Sequence, residues 1–130
     1  MRAVSVGVGV GVEVVLLLAA GSSGSEAPST LVVHNYYYAK PGLADSVYRV
    51  RKTASAIRAR AGLVVGRVLR RTGGSDSLPD VIWEAEYADS AARAWDLLAL
   101  EGNVEFSRIQ AVMGGLLRRF ERASWAADGR

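Results

Sequence analysis

Between Val81 and Tyr87 the chain alternates, with Val81, Trp83, Ala85 and Tyr87 on one side and Ile82, Glu84 and Glu86 on the other. That period of two predicts a strand with one buried face. Leu31 to Ala39, rich in Val and Tyr, predicts another strand, stopped by Lys40-Pro41-Gly42. From Asp45 to Ala61 the period changes to three and four, through Val47, Val50, Ala54, Ile57 and Ala61. A helix with one apolar stripe follows, with Asp45 as its expected cap and Gly62 as its stop. Arg49, Arg51, Lys52, Arg58 and Arg60 fall mostly off the stripe and are expected to form a solvated face, with anion binding as the alternative.

Leu63 to Arg71 predicts a second strand, followed by a polar turn containing Gly73-Gly74 and Pro79. Asp89 or Ser90 should cap a helix that buries Ala91, Trp95 and Leu98, with Ala94 beside them. Gly102-Asn103 interrupts it, and Asn103 can cap a continuation through Phe106, Ile109, Gln110 and Met113 to Gly114-Gly115. Leu117 to Trp125 predicts the last strand. The order βαββαβ, with right-handed crossovers, implies an α+β domain: a four-stranded antiparallel sheet with both helices on one face. The other face is left bare, with Ile82 and Phe120 or Leu117 among charges, which suggests a homodimer through that open face.

The first residues have a different character. Arg2 precedes an apolar stretch and a small-residue region, the layout of a secretory signal peptide spanning 1–21, with cleavage before Ser22. The expectation is therefore a periplasmic or secreted protein with a linker at 22–30, a folded domain at 31–125 and a tail at 126–130. Glu13 and the Val-Gly alternation weaken the signal, leaving an uncleaved membrane anchor or a mis-assigned start codon as rivals. Membrane contact is expected only if the segment is uncleaved.

Composition removes several chemistries. There is no cysteine, so disulfides, thiolate metal sites and cysteine nucleophiles are excluded, and one histidine makes no zinc site within a chain. No metal and no cofactor are expected. The net charge of +3 is modest and spread along the chain. RNA-recognition motifs share the βαββαβ order, but their third strand needs basic and aromatic residues on the open face. Here that strand offers Glu84 and Glu86, so nucleic acid is not an expected partner.

Several local features carry a resemblance. Tyr37 precedes Ala39-Lys40-Pro41-Gly42, strand three ends Glu86-Tyr87, and Asp89-Ser90 with Arg93 opens helix two. Asn103-Val104-Glu105-Phe106 and the closing Arg119-Phe120-Glu121 complete the set. In these the chain resembles the dimeric α/β-barrel superfamily, ferredoxin-like in fold, and within it the NIPSNAP-like branch; Val104 replaces the usual proline. The resemblance implies two sheets packed face to face and a ligand cavity between sheet and helices. Some members are cofactor-independent monooxygenases, and others degrade haem with an Asn on strand one, a Trp on strand three and a His on helix two. Asn35 and Trp83 match the first two, but helix two has no histidine, so the axial ligand is missing.

His34 and Asn35 are the candidate catalytic residues, His34 as a base near neutrality. Tyr36 and Tyr38 share its face, and Glu84 or Glu86 could orient it. Tyr36, Tyr37, Tyr38, Trp83, Glu84 and Glu86 are the candidate ligand-binding residues. Arg67, Arg118, Arg119 and His34 are the candidate partners of the two glutamates. The expected function is binding of a small hydrophobic or aromatic molecule. A cofactor-independent monooxygenase or isomerase-like enzyme is one alternative, and a structural or partner-binding module is another.

Overall fold

The computed structural model describes residues 29–128; the signal-like segment and most of the linker lie outside the described residues. The elements are β1 (Thr30–Ala39), α1 (Ala44–Arg60), β2 (Arg67–Arg70), β3 (Val81–Tyr87), α2 (Ser90–Leu100), α3 (Val104–Leu116) and β4 (Leu117–Ala127). The strands form one antiparallel sheet in the order β2-β3-β1-β4, as the βαββαβ pattern requires. The break at Gly102-Asn103 makes two helices where one interrupted helix was expected. Asn103 caps α3 by accepting from the Phe106 amide, and Asp89 caps α2 through Ala92.

Register divides the side chains cleanly. Val33, Asn35 and Tyr37 of β1 share the helix-covered face with Val81, Trp83, Ala85 and Tyr87 of β3, and all are buried. Val47 of α1 and Met113 of α3 close over them as the main core. A smaller cluster, Ala54, Ile57, Leu100 and Phe106, joins the three helices to one another.

Several local expectations are corrected. The predicted second strand shortens to Arg67–Arg70, because the backbone of the preceding residues is engaged by side chains. The Val64 carbonyl accepts from Arg58, its amide donates to Asp96, and the Val65 carbonyl accepts from the Trp83 indole. Asp45 does not cap α1: the helix starts a residue earlier, Leu43 holds the cap position without a side-chain bond, and Asp45 pairs with Arg70. Gly114 and Gly115 lie inside α3, which runs to Leu116. Phe120 is not on the open face. It lies opposite Tyr37 on the helix side, their rings 5.3 Å apart.

Two helix faces also differ from expectation. In α1 the stripe runs through Val47, Arg51, Ala54, Ile57 and Arg58, while Ala61 is exposed. Two of the five basic residues assigned to a solvated face are therefore buried. In α2 the inward positions are Asp96 and Leu100, and Trp95 and Leu98 face outward at 72% and 54% exposure. The helix carries apolar residues on both sides, and the polar contacts of Asp96 decide which side turns in.

Gly66 shows how closely the irregular segment is fitted. Its φ of +67° is left-handed, and a Cβ there would stand 2.4 Å from the Glu84 carbonyl oxygen and 2.7 Å from Trp83 Nε1. Gly66→Ala should cost about 3 kcal/mol of unfolding free energy, strain and clash together. Gly42→Ala, at φ +78° but with nothing within 4 Å, should cost about 1 kcal/mol by denaturant titration. Equal losses at the two sites would show that the close approach at Gly66 is not tight.

Candidate functional site

A cavity of about 320 Å³ lies between the sheet and the helices, within the size range of small-molecule sites. Asn35, Tyr37 and Trp83 form its sheet wall. Phe106, Met113, Leu117 and Phe120 belong to its apolar lining. Arg51, Arg58, Arg93 and Arg122 also line it, and among the described residues no aspartate, glutamate, histidine or lysine does.

The polar wall is ordered by a short chain of hydrogen bonds. Arg122 Nε donates to Asn35 Oδ1 at 2.7 Å. Because a guanidinium can only donate, this contact fixes which way the Asn35 amide faces. Asn35 Nδ2 then donates to Tyr37 Oη at 3.3 Å, and Arg51 Nη1 donates to the same oxygen at 3.2 Å. Tyr37 Oη thus accepts twice, and its own proton is left to donate elsewhere.

Trp83 is the hub of the floor. Its indole N–H is held by the Val65 carbonyl at 2.8 Å, and two guanidiniums lie over the ring, Arg51 at 4.8 Å and Arg58 at 4.6 Å from its centroid. Such stacking suits the flat, delocalised arginine cation rather than a lysine. Arg58 has a carboxylate partner: Asp96 Oδ2 accepts from its Nη1 at 2.7 Å, with the two side chains 4% and 5% exposed. Tyr87 Oη donates to the same carboxylate oxygen at 2.9 Å. Burial, followed by that contact, pushes the Tyr87 phenol up to about 12. Burial likewise pushes the Arg51 guanidinium down.

The other expected site residues occupy the opposite face. His34 Nε2 and Glu84 Oε2 are 2.8 Å apart, His34 Nδ1 meets Tyr36 Oη at 3.1 Å, and Arg67 Nε donates to Glu84 Oε1 at 2.6 Å. Tyr38 donates to Glu121, and Glu86 accepts from Thr30 Oγ1 at 2.5 Å. Asn35, Tyr37 and Trp83 therefore meet in the cavity, whereas His34, Tyr36, Tyr38, Glu84 and Glu86 sit on the open sheet face. Of the candidate partners, His34 and Arg67 pair with Glu84, and Glu86 pairs with none of them among the described residues. Sequence reading missed Arg51, Arg58, Arg93, Arg122 and Asp96. The signal was present in α1, where positions 47, 51, 54 and 58 step by four, three and four.

No family model and no curated protein matches the chain. Solved structures do. A NIPSNAP family protein from Agrobacterium tumefaciens superposes with a TM-score of 0.61 at 20% identity, over 74% of this chain and 90% of that one. A dimeric protein of ferredoxin-like fold from Bacteroides fragilis matches at 0.56 and 10% identity, over 74% and 94%. An antibiotic biosynthesis monooxygenase matches at 0.52 and 14% identity, over 78% and 98%. The chain has the ferredoxin-like fold of these proteins, and its resemblance to NIPSNAP proteins holds at the level of that fold.

Two outcomes test the electrostatics. Asp96→Asn leaves Arg58 buried without its counter-charge and should cost about 3–5 kcal/mol by denaturant titration; a cost below about 1 kcal/mol would mean the pair is relaxed away. The hydrogen bonds from His34 and then Arg67 hold the Glu84 carboxyl below its ordinary value. Its contribution to stability is therefore full above the unfolded carboxylate pKa of about 4.3 and is lost as pH falls through the lower folded value. Glu84→Gln should narrow its stability gap from the parent chain over that acidic window, and a pH-independent gap would contradict this.

Proposed function

We propose that the chain binds a small hydrophobic or aromatic molecule in the cavity between sheet and helices, as a homodimer joined through its open sheet faces. The 320 Å³ cavity carries this reading, because its aromatic walls and ordered polar edge are what a ligand site needs. The fold it shares with the proteins above supports a ligand-binding domain of this kind. The open face supports the dimer: Tyr36, Leu69 and Ile82 are only half-buried there, and Trp125 is 53% exposed. The protein of the same fold from Bacteroides fragilis is described as dimeric. Export belongs to the same proposal and rests on the arrangement of Arg2, the apolar stretch and Ala19-Ala20-Gly21.

An enzyme acting without a cofactor is the second reading. Asn35 and Tyr37 favour it, since both present polar groups to the cavity, and one protein of this fold is a monooxygenase. Against it, no histidine, carboxylate or lysine lines the cavity among the described residues: His34 is on the other face, and Tyr87 holds its proton to about 12. The balance favours binding over proton abstraction. A structural or partner-binding module, the third reading, gives no account of the cavity.

Native mass spectrometry of the full chain from its own host tests this directly. A dimer with extra small-molecule mass is expected. Gly114 lines the cavity and a Cβ there meets nothing within 4 Å, so Gly114→Leu should abolish the retained mass. Gly114→Ala should keep it and gain about 1 kcal/mol in helix propensity. Retention in the leucine variant would place the ligand elsewhere, and a parent chain with no retained mass and no affinity for hydrophobic probes would overturn the reading. Ile82→Asp should give a monomer; a dimer would remove the open face as the interface.

A further inference from the structure

The charges around the cavity do not balance, and this decides what kind of molecule it takes. Four guanidiniums line it, and Asp96, the carboxylate paired with one of them, is already taken by Arg58, Tyr87 and the Val64 amide. Arg51, Arg93 and Arg122 have no ion-pair partner among the described residues. Arg51 is the extreme case at 4% exposure. Its acceptors among the described residues are uncharged, Tyr37 Oη at 3.2 Å and Ser55 Oγ at 3.4 Å, and its Nε is buried with no acceptor among them. A buried cation without a counter-charge is costly, and so is a buried donor left unmade. Across the mouth, Arg122 spends Nε on the neutral Asn35 amide oxygen, and burial and then Arg93 push its guanidinium down.

We propose, building on the binding reading above, that the ligand is an apolar carboxylate, a fatty or aromatic acid whose carboxylate is received by Arg51 and the Tyr37 hydroxyl. A planar carboxylate can accept from two N–H groups of one guanidinium, and Nη1 and Nη2 of Arg51 each keep a second hydrogen beyond those given to Tyr37 and Ser55, a fork that an amide or alcohol cannot match. Tyr37 Oη, already accepting twice, has a proton to give to the same anion. Arg122 and Arg93 add positive potential at the entrance, which draws anions in. The tail then lies against Phe106, Met113, Leu117 and Phe120. The chemistry of the site calls for one negative charge at one end and an apolar body for the rest.

The test compares octanoate, decanoate and 2-naphthoate with their primary amides, by calorimetry on the full-length chain at neutral pH. The acids should bind about tenfold or more tighter than the amides, the discrimination expected of a charge-assisted contact. In Arg51→Met, which keeps the stem over Trp83, that ratio should fall towards one. Arg122→Met, at the more exposed mouth, should reduce the preference less and serves if the Arg51 variant fails to fold. Acids and amides binding alike, or a preference that survives in both variants, would overturn the anion assignment and leave the cavity reading standing. Failure of every acid and every amide to bind would overturn both.

Discussion

The buried pair between Arg58 and Asp96 is the contact on which the rest of this architecture depends. It joins α1 to α2, and through Tyr87 and Val64 it also fixes the end of β3 and the segment leading into β2. Two charges out of water are net stabilising only when their remaining donors and acceptors are satisfied. Here the carboxylate accepts from a guanidinium, a phenol and a backbone amide, Arg58 Nη1 donates both to Asp96 and to the Val64 carbonyl, and Arg58 Nε is buried without a partner among the described residues. Breaking such a pair from one side costs several kcal/mol, about 3–5, which is a large part of the stability of a small domain. That cost explains why α2 turns Asp96 inward and leaves Trp95 exposed.

From this pair the cavity follows. Val64 and Val65 give their backbone groups to Arg58, Asp96 and Trp83, so the chain cannot enter the sheet until Arg67. The Trp83 indole is pinned beneath α1, and two arginines two turns apart roof it. A leucine at either position would make that roof apolar. Arginine instead leaves a polar, charged ceiling over an aromatic floor.

The sheet was legible in the sequence because its code is local. Alternation assigned Val81, Trp83, Ala85 and Tyr87 to one face, and the same period separated His34 from Asn35. The caps at Asp89 and Asn103 were legible for the same reason, since each is a short polar side chain placed before its own helix. The helix faces were not. Periodicity treats every arginine as solvent-seeking, so Arg51 and Arg58 were assigned outward although they share the spacing of Val47 and Ala54. Whether such a residue turns inward depends on a carboxylate 38 positions away and on an indole from another strand, neither of which a helical window contains. The expected site residues divided likewise. Strand parity put Asn35, Tyr37 and Trp83 together, but only the folded chain adds the cations beside them.

The two buried arginines of α1 share a helix, a neighbouring indole and nearly the same burial, yet their circumstances differ. Arg58 is matched inside the protein and builds the fold. Among the described residues Arg51 has only neutral oxygens, and its position over Trp83 supplies no counter-charge, since a cation–π contact contributes about 0.5–1 kcal/mol when exposed and about 2 kcal/mol or more when desolvated. A domain selected for stability alone would gain from an apolar residue there, because buried ionic groups are often replaced by hydrophobic ones without loss. Uncompensated charge at a cavity wall is instead what function-bearing sites carry at the expense of stability. The same helix thus holds one arginine whose charge the fold matches and one whose charge the described residues leave unmatched.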